Sequence, residues 1–297
     1  MPLDPKSLLD PYLLSRLDAL EILTHRVFRG GTKGERRSRH KGSSVEFADY
    51  RDYSRGDDTR HIDWNIFARL ERLFIKLFLE EEDLAFYILL DTSKSMDFGT
   101  PTTKFLYAQK LAAALGYIVL KNQDKVGVTA FDTRAREIFR PARGKGQLPK
   151  LLAQIAALEV SERTCLGDSI RDFALRNTQS GIVVLITDFM DEQGFEEALK
   201  YFFLRNYEVY CIHVLSPEER KPQLGGHLEL IDAETGEPQE VSVSEALLKQ
   251  YEKTLEAFCG SIRDWSVSRG MVYLPASTDQ PIDQMLLGYL RRKGLLK

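Results

Sequence analysis

Asp91, Ser93 and Ser95 place one carboxylate and two hydroxyls at alternate positions, directly after the apolar run Phe86-Tyr87-Ile88-Leu89-Leu90. A second apolar run, Gly181 to Thr187, also ends in a carboxylate, Asp188, and Thr164 stands in a polar loop between the two. All five side chains offer oxygen, the ligand type that a hard divalent cation such as Mg²⁺ or Mn²⁺ prefers. Two negative charges and three hydroxyls make an incomplete shell. Such a site is expected to hold its ion modestly and to leave a position for water or an incoming carboxylate. The bland alternative is local: Asp and Ser after a strand are common turn residues, and Ser93 or Ser95 would then only cap a helix.

Runs this short and this apolar read as strands buried on both faces of a parallel sheet. In open α/β sheets, ligands gather where such strands end at a switch point. The strands ending in Asp91 and Asp188 are expected side by side there, with Thr164 in reach from the loop before a helix over Leu166 to Arg176. Thr100-Pro101 predicts a helix beginning near residue 101, whose positive end would favour an anion at the site. Phe105, Ala108, Leu111, Ala112, Leu115, Ile118 and Val119 form its apolar face. Val126 to Phe131 reads as the next strand, and Glu137 to Arg140 as its hairpin partner, since too few residues intervene for a parallel crossover. Further helices are expected over about 147–158, 194–204, 244–268 and 281–293, strands over Glu208 to Val214 and Met271 to Leu274, and an inserted β-hairpin over 227–243 turning at Asp232 to Gly236.

This alternation predicts an α/β protein whose doubly wound, mostly parallel sheet is flanked by helices over residues 80–297. Residues 1–79 are expected as an N-terminal extension: a helical stretch over 5–28 with a break or an N-cap at Asp10-Pro11, a basic loop, a short strand with a turn near Arg55-Gly56-Asp57-Asp58, and a strand over 73–80. The loop carries Arg26, Arg29, Lys33, Arg36, Arg37, Arg39 and Lys41 against Glu35 alone. It reads as a solvated loop or as a docking strip for an acidic partner, and the lack of interleaved aromatic residues counts against single-stranded nucleic acid. Asp57, Asp58 and Asp63 offer a second metal cluster on paper, but Arg51, Arg55 and Arg60 lie close enough to make salt-bridged packing around Trp64 the commoner outcome.

The chain has 297 residues, 43% of them hydrophobic, and a net charge of −3, so no global basic field points to nucleic acid. Cys165, Cys211 and Cys259 are odd in number and widely spaced, which fits a reducing compartment rather than a disulfide framework or a structural zinc. No basic-then-apolar leader opens the sequence, and no apolar run approaches the ~18 residues of a membrane span. A cytoplasmic location is expected.

The set Asp91-x-Ser93-x-Ser95, Thr164 and Asp188 resembles the metal-ion-dependent adhesion site of von Willebrand factor A domains, and Thr164-x-Leu166-Gly167-Asp168 and Ile186-Thr187-Asp188 extend the match. Upstream, Tyr50-Arg51-Asp52-Tyr53-x-x-Gly56-Asp57-Asp58-x-Arg60-x-Ile62-Asp63-Trp64-x-x-x-Ala68-Arg69 looks like the signature of domain-of-unknown-function family 58. Those are bacterial A-domain-like proteins commonly associated with MoxR-type AAA+ ATPases. Pro275-x-x-Thr278-Asp279-Gln280-Pro281, running into Leu290-Arg291-Arg292, is similar to that family's ending. The resemblance implies a von Willebrand factor A-like fold, with Mg²⁺ or Mn²⁺ on the five residues and an acidic partner side chain on the metal. It also implies a non-catalytic role as an adaptor or co-chaperone beside a MoxR-type ATPase, in the assembly or activation of a client. Family members often carry two N-terminal membrane helices; none is read in this sequence, so any membrane role is expected to come through a partner.

Enzyme readings fit less well. A haloacid-dehalogenase-type phosphotransferase with Asp91 as nucleophile and Asp188 and Asp191 as its later acidic pair would need a general acid/base at Ser93. A hydroxyl cannot serve there. No Gly-x-Ser-x-Gly elbow, P-loop or His-x-x-x-His zinc spacing occurs. His213 lies within an apolar strand and reads as a core histidine.

Overall fold

Asp10 accepts a hydrogen bond from the Leu13 amide at 2.7 Å, and Pro11 opens the first turn, so the Asp10-Pro11 pair starts a helix, α1 (Pro11–Leu17). The computed structural model describes residues 3–18, 20, 46–55, 57–79, 85–161, 165–177, 181–191, 193–205, 207–231 and 238–290. The basic strip over 26–41, the hairpin turn at 232–236 and Arg291 to Lys293 lie outside the described residues, as does Thr164. The chain divides into two units, one of residues 25–83 and one of residues 1–24 with 84–297.

In the smaller unit, β1 (Glu46–Asp52) pairs antiparallel with β2 (Phe74–Leu79), and α2 (Trp64–Leu70) lies between them in sequence. Asp63 organises this unit. One oxygen caps α2 through the amides of Asn65 and Ile66, at 2.9 and 3.2 Å, and the other meets Lys76 Nζ and the Tyr50 hydroxyl, each at 3.0 Å. The Lys76 ammonium, helped by those amides and the hydroxyl, holds the Asp63 carboxyl down to about 2. Asp57 pairs with Arg51 and Asp58 with Arg60. The aspartates therefore resolve into ion pairs and caps, while Trp64, expected inside that packing, is exposed on α2.

The larger unit runs β3 (Ala85–Asp91), α3 (Lys104–Lys121), β4 (Lys125–Phe131), β5 (Ala135–Arg143), α4 (Leu148–Ala156), α5 (Leu166–Arg176), β6 (Gly181–Thr187), α6 (Glu196–Leu204), β7 (Glu208–Leu215), α7 (Pro217–Arg220), β8 (Gly226–Ile231), β9 (Pro238–Val243), α8 (Glu245–Ser268), β10 (Val272–Ser277) and α9 (Ile282–Met285). Its sheet has the order β10-β7-β6-β3-β4-β5, parallel throughout except for the β4–β5 hairpin. This is the expected von Willebrand factor A-like, doubly wound α/β architecture, and β8 and β9 form the inserted hairpin.

Every residue of β3 and β6 is buried, because helices cover both faces of the sheet. Phe86, Ile88 and Leu90 pack on one face with α1, α3 and α4; Ala85, Tyr87 and Leu89 pack on the other with α5 and α6. Leu13 and Leu17 of α1 join the first of these layers, and Arg16 reaches Asp283 at 3.1 Å, so this N-terminal helix belongs to the larger unit. The helix expected from Thr100-Pro101 begins later. The helix after β3 starts at Lys104, capped by Thr103, whose hydroxyl accepts from the Leu106 amide at 3.1 Å; Thr100-Pro101 is a cis peptide ahead of it. In the described part of the helix expected over 281–293, the short α9 passes into a π-helical turn over Leu286–Leu290.

Candidate metal centre

β3 and β6 are neighbours in register, so their C-terminal ends open at the same edge of the sheet. Asp91 closes β3, fully buried, and its Oδ1 accepts the Ser93 amide at 2.9 Å. Its Oδ2 accepts the hydroxyl of Thr187, the last residue of β6, at 2.5 Å. Thr187 in turn accepts the Phe189 amide at 3.0 Å. One carboxylate thus ties the two strand ends together.

Ser93 begins a single 3₁₀ turn, and its side chain makes no capping bond to that turn. The hydroxyl meets that of Ser95 instead, at 3.0 Å. Capping therefore does not account for the alternate serines. Asp188 is buried, with Oδ1 accepting the Met190 amide at 3.0 Å and Oδ2 held by Lys104 Nζ at 2.7 Å. The backbone beyond it turns sharply: Phe189 is left-handed, with φ 58°, and its ring is buried edge-on to Phe195 and His213. A bulky residue in that region is strained, which is tolerated where the surroundings over-determine it.

Thr164 lies outside the described residues, which resume on either side of it at Ser161 and Cys165. Ser161 donates through both its amide, at 2.7 Å, and its hydroxyl, at 3.1 Å, to the Thr92 carbonyl. The Cys165 amide reaches the Asp132 carbonyl at 2.9 Å, and the Leu166 amide reaches Asp191 Oδ2 at 2.6 Å. The loop carrying Thr164 is therefore anchored at both ends to the loops after β3, β4 and β6. Asp191, the acidic partner that a phosphotransferase reading requires, has its other oxygen on the Gln193 amide at 2.8 Å and serves as a turn cap.

Two residues of this site were not foreseen. Lys104, the first residue of α3, is buried with its ammonium between Asp188 and Glu219. Burial disfavours that charge, and Asp188 and Glu219 outweigh the burial, leaving the ammonium above its ordinary value. Glu219 sits in α7, where a capping box fixes it: its Oε2 accepts the Ser216 amide at 2.8 Å, and its own amide donates to Ser216 Oγ at 3.1 Å. The Ser216-Pro217-Glu218-Glu219 spacing was a readable signal for that box; nothing local marks Lys104. The helix terminus expected to greet an anion therefore delivers a cation.

Charge is unevenly supplied around these groups. Burial first, and then the like charge of Asp188, push the Asp91 carboxyl up to about 7. His213, buried beneath Phe189, is pushed down to about 4 by desolvation; its Nδ1 meets the Tyr273 hydroxyl at 2.8 Å, while Nε2 has no partner among the described residues. It is a neutral core histidine.

The donor set fits a hard divalent ion. Adjacent ligands of an octahedral ion at about 2.1 Å lie about 3.0 Å apart, which the two serine hydroxyls match at 3.0 Å. Among the described residues no positive charge pairs with Asp91, and a carboxylate oxygen that accepts one hydrogen bond keeps a second lone pair for a metal. Among the described residues, no cluster of three or more His, Cys, Asp and Glu side chains is suited to a metal, so an ion here would depend on the hydroxyls as well as the two aspartates. No helix of the described residues is long and apolar enough to cross a membrane.

Comparison with known proteins gives three kinds of match. Uncharacterized protein Rv1480 of Mycobacterium tuberculosis is 26% identical over 293 residues, covering 97% of this chain and 92% of the relative. Among solved structures, the conserved hypothetical protein BatB from Bacteroides thetaiotaomicron matches with a TM-score of 0.42 and 16% identity, over 70% of this chain and 98% of that one. An aerotolerance-related membrane protein from Bacteroides fragilis matches with a TM-score of 0.44 and 17% identity, over 70% of this chain and 99% of that one. The family described as "Protein of unknown function DUF58" matches residues 49–257, well over half of the sequence and reaching into both structural units. The chain belongs to the DUF58 family.

Proposed function

We propose that this chain is a non-catalytic protein-binding module. A divalent cation, Mg²⁺ or Mn²⁺, held by Asp91, Ser93, Ser95, Thr164 and Asp188, would receive an acidic side chain from a partner. The observation that carries the reading is the union of Asp91 with the serine pair. A carboxyl raised towards neutrality by its burial and then by the like charge of Asp188 stands next to two hydroxyls 3.0 Å apart. When bound, the cation supplies positive charge with an exchangeable position. The chain's own part is to fix Asp91 through Ser93 and Thr187, and Asp188 through Met190. The von Willebrand factor A-like fold and DUF58 membership support a protein-interaction role, and the family resemblance nominates a MoxR-type AAA+ ATPase as the partner.

The test is affinity capture from a bacterial lysate with Mg²⁺ or with EDTA, read by mass spectrometry, using the wild type and Asp91→Ala. An AAA+ ATPase retained with Mg²⁺ and lost with EDTA and in Asp91→Ala supports the proposal. A partner set indifferent to both changes would overturn the metal-dependent part.

A further inference from the structure

Lys104 is the buried group that the metal reading leaves unused. Its ammonium stands where a cation is wanted, 2.7 Å from Asp188 Oδ2, with Glu219 as a second carboxylate on its other side. Neither carboxylate is placed by Lys104 alone. Asp188 is also fixed by the Met190 amide, and Glu219 by its capping box. A lysine tail is long and its ammonium is a rotatable point charge, so it can lean towards either partner without moving α3. We propose that Lys104 is an internal competitor of the divalent cation: it neutralises Asp188 when the ion is absent and yields to Glu219 when the ion arrives, so that the Lys104–Glu219 pair sets the metal affinity. This is a positioning role, and it rests on the proposed binding of a cation at Asp91, Ser93, Ser95 and Asp188.

The geometry gives opposite expectations for two changes. Glu219→Gln removes the place to which the ammonium retreats, so Lys104 holds Asp188 more firmly and the ion binds more weakly. Removing the ammonium frees Asp188 and tightens binding. Lys104→Met alone leaves the buried Asp188 and the half-buried Glu219 without their shared counter-charge, so the variant of choice is Lys104→Met with Glu219→Gln. It deletes one charge of each sign and leaves every proposed metal ligand in place. A hydrogen bond to a charged group is worth about tenfold or more in an equilibrium constant, which sets the size of both effects.

Mn²⁺ is the probe, titrated into the full chain by calorimetry and by the electron paramagnetic resonance signal of the free ion, with unfolding midpoints recorded in EDTA to establish that each variant is folded. The expected result is Mn²⁺ binding by the wild type, about tenfold tighter binding by the double variant and about tenfold weaker binding by Glu219→Gln. A wild type that fails to bind while the double variant binds would uphold the competition and overturn a metal-dependent function for the native chain. Binding that is equal or weaker in the double variant would overturn the competition and leave the proposed function standing. Silence from both proteins would overturn both.

Discussion

Asp91→Asn in the metal-free protein isolates the electrostatic strain at the centre of the site. Asparagine keeps an oxygen for the Ser93 amide and presents a donor to Thr187, so the two strand ends stay tied. What it removes is the titration. The Asp91 carboxyl is carried from 3.8 to about 7 on folding, which at about 1.4 kcal/mol for each unit of pKa amounts to about 4 kcal/mol. That figure is an upper bound, because the loops around an ionised pair relax. Its sign follows from linkage. The folded value lies above the unfolded one, so the folded chain holds the proton more tightly between pH 4 and pH 7. The stabilisation is complete below the ordinary carboxylate range and is lost as pH rises through about 7. The buried neutral His213 works in the opposite direction between about pH 4 and 6.5, but it is common to both proteins and cancels in their difference. The assay is urea unfolding by circular dichroism in EDTA, from pH 4 to pH 8. The wild type should lose about 2–4 kcal/mol relative to Asp91→Asn across that range, and saturating Mn²⁺ should rescue the wild type alone. Two curves that stay parallel to within about 0.5 kcal/mol, the usual scatter for independent effects, would refute the reasoning. Asp91 would then already be fully compensated, and the site would have no need of a metal.

Three further outcomes are open to measurement. A Cβ at Gly181 would lie 2.2 Å from the Ala85 carbonyl oxygen, and neither central strand can move aside, so Gly181→Ala should cost about 2 kcal/mol or more by urea unfolding; a neutral result would mean that the β3–β6 register shifts freely. Asp63 has a folded value below its unfolded one, so its contribution is present above the ordinary carboxylate range and fades as pH falls from about 4 through about 2. The protection of the α2 amides relative to their intrinsic exchange rate should fall in that window, and Asp63→Ala should bring the same loss of protection to neutral pH. If the strip over Arg26 to Lys41 docks an acidic partner, affinity should drop as salt rises through ~0.2 M, where screening lengths fall below about 10 Å. Replacing Arg36, Arg37 and Arg39 with Ser should flatten that dependence, and an unchanged slope would leave the strip a solvated loop.

The sheet was legible because buried parallel strands carry their own signature. Phe86 to Leu90 and Gly181 to Thr187 are too short and too apolar to be anything else, and each ends in the residue that its position in the sheet makes useful. The start of α3 was less so. Thr100-Pro101 and Thr103-Lys104 both resemble a helix opening, and only the folded backbone shows that Thr103 is the cap. Lys104 was invisible for a deeper reason. A lysine in the first turn of a helix opposes the helix dipole and reads as a solvated side chain, until folding brings Asp188 and Glu219, 84 and 115 residues away, to either side of it. Trp64 failed in the other direction: an aromatic among charges suggested packing, yet α2 presents it outward. The candidate ligands were chosen by residue type and strand ending, which sequence records; the counter-charges depend on which loops meet, which it does not.

Phe189 has a consequence for how a partner would experience this surface. Its left-handed backbone costs about 1–3 kcal/mol, which a glycine would relieve, but a glycine would leave empty the space between Phe195 and His213. The buried ring works as a keel: Asp188 keeps its bearing because the residue after it cannot roll. Were this loop to meet a partner as proposed, stiffening before contact would leave little freedom to surrender when contact comes. Discrimination between partners would then fall on how long each one stays rather than on how the loop reshapes to greet it.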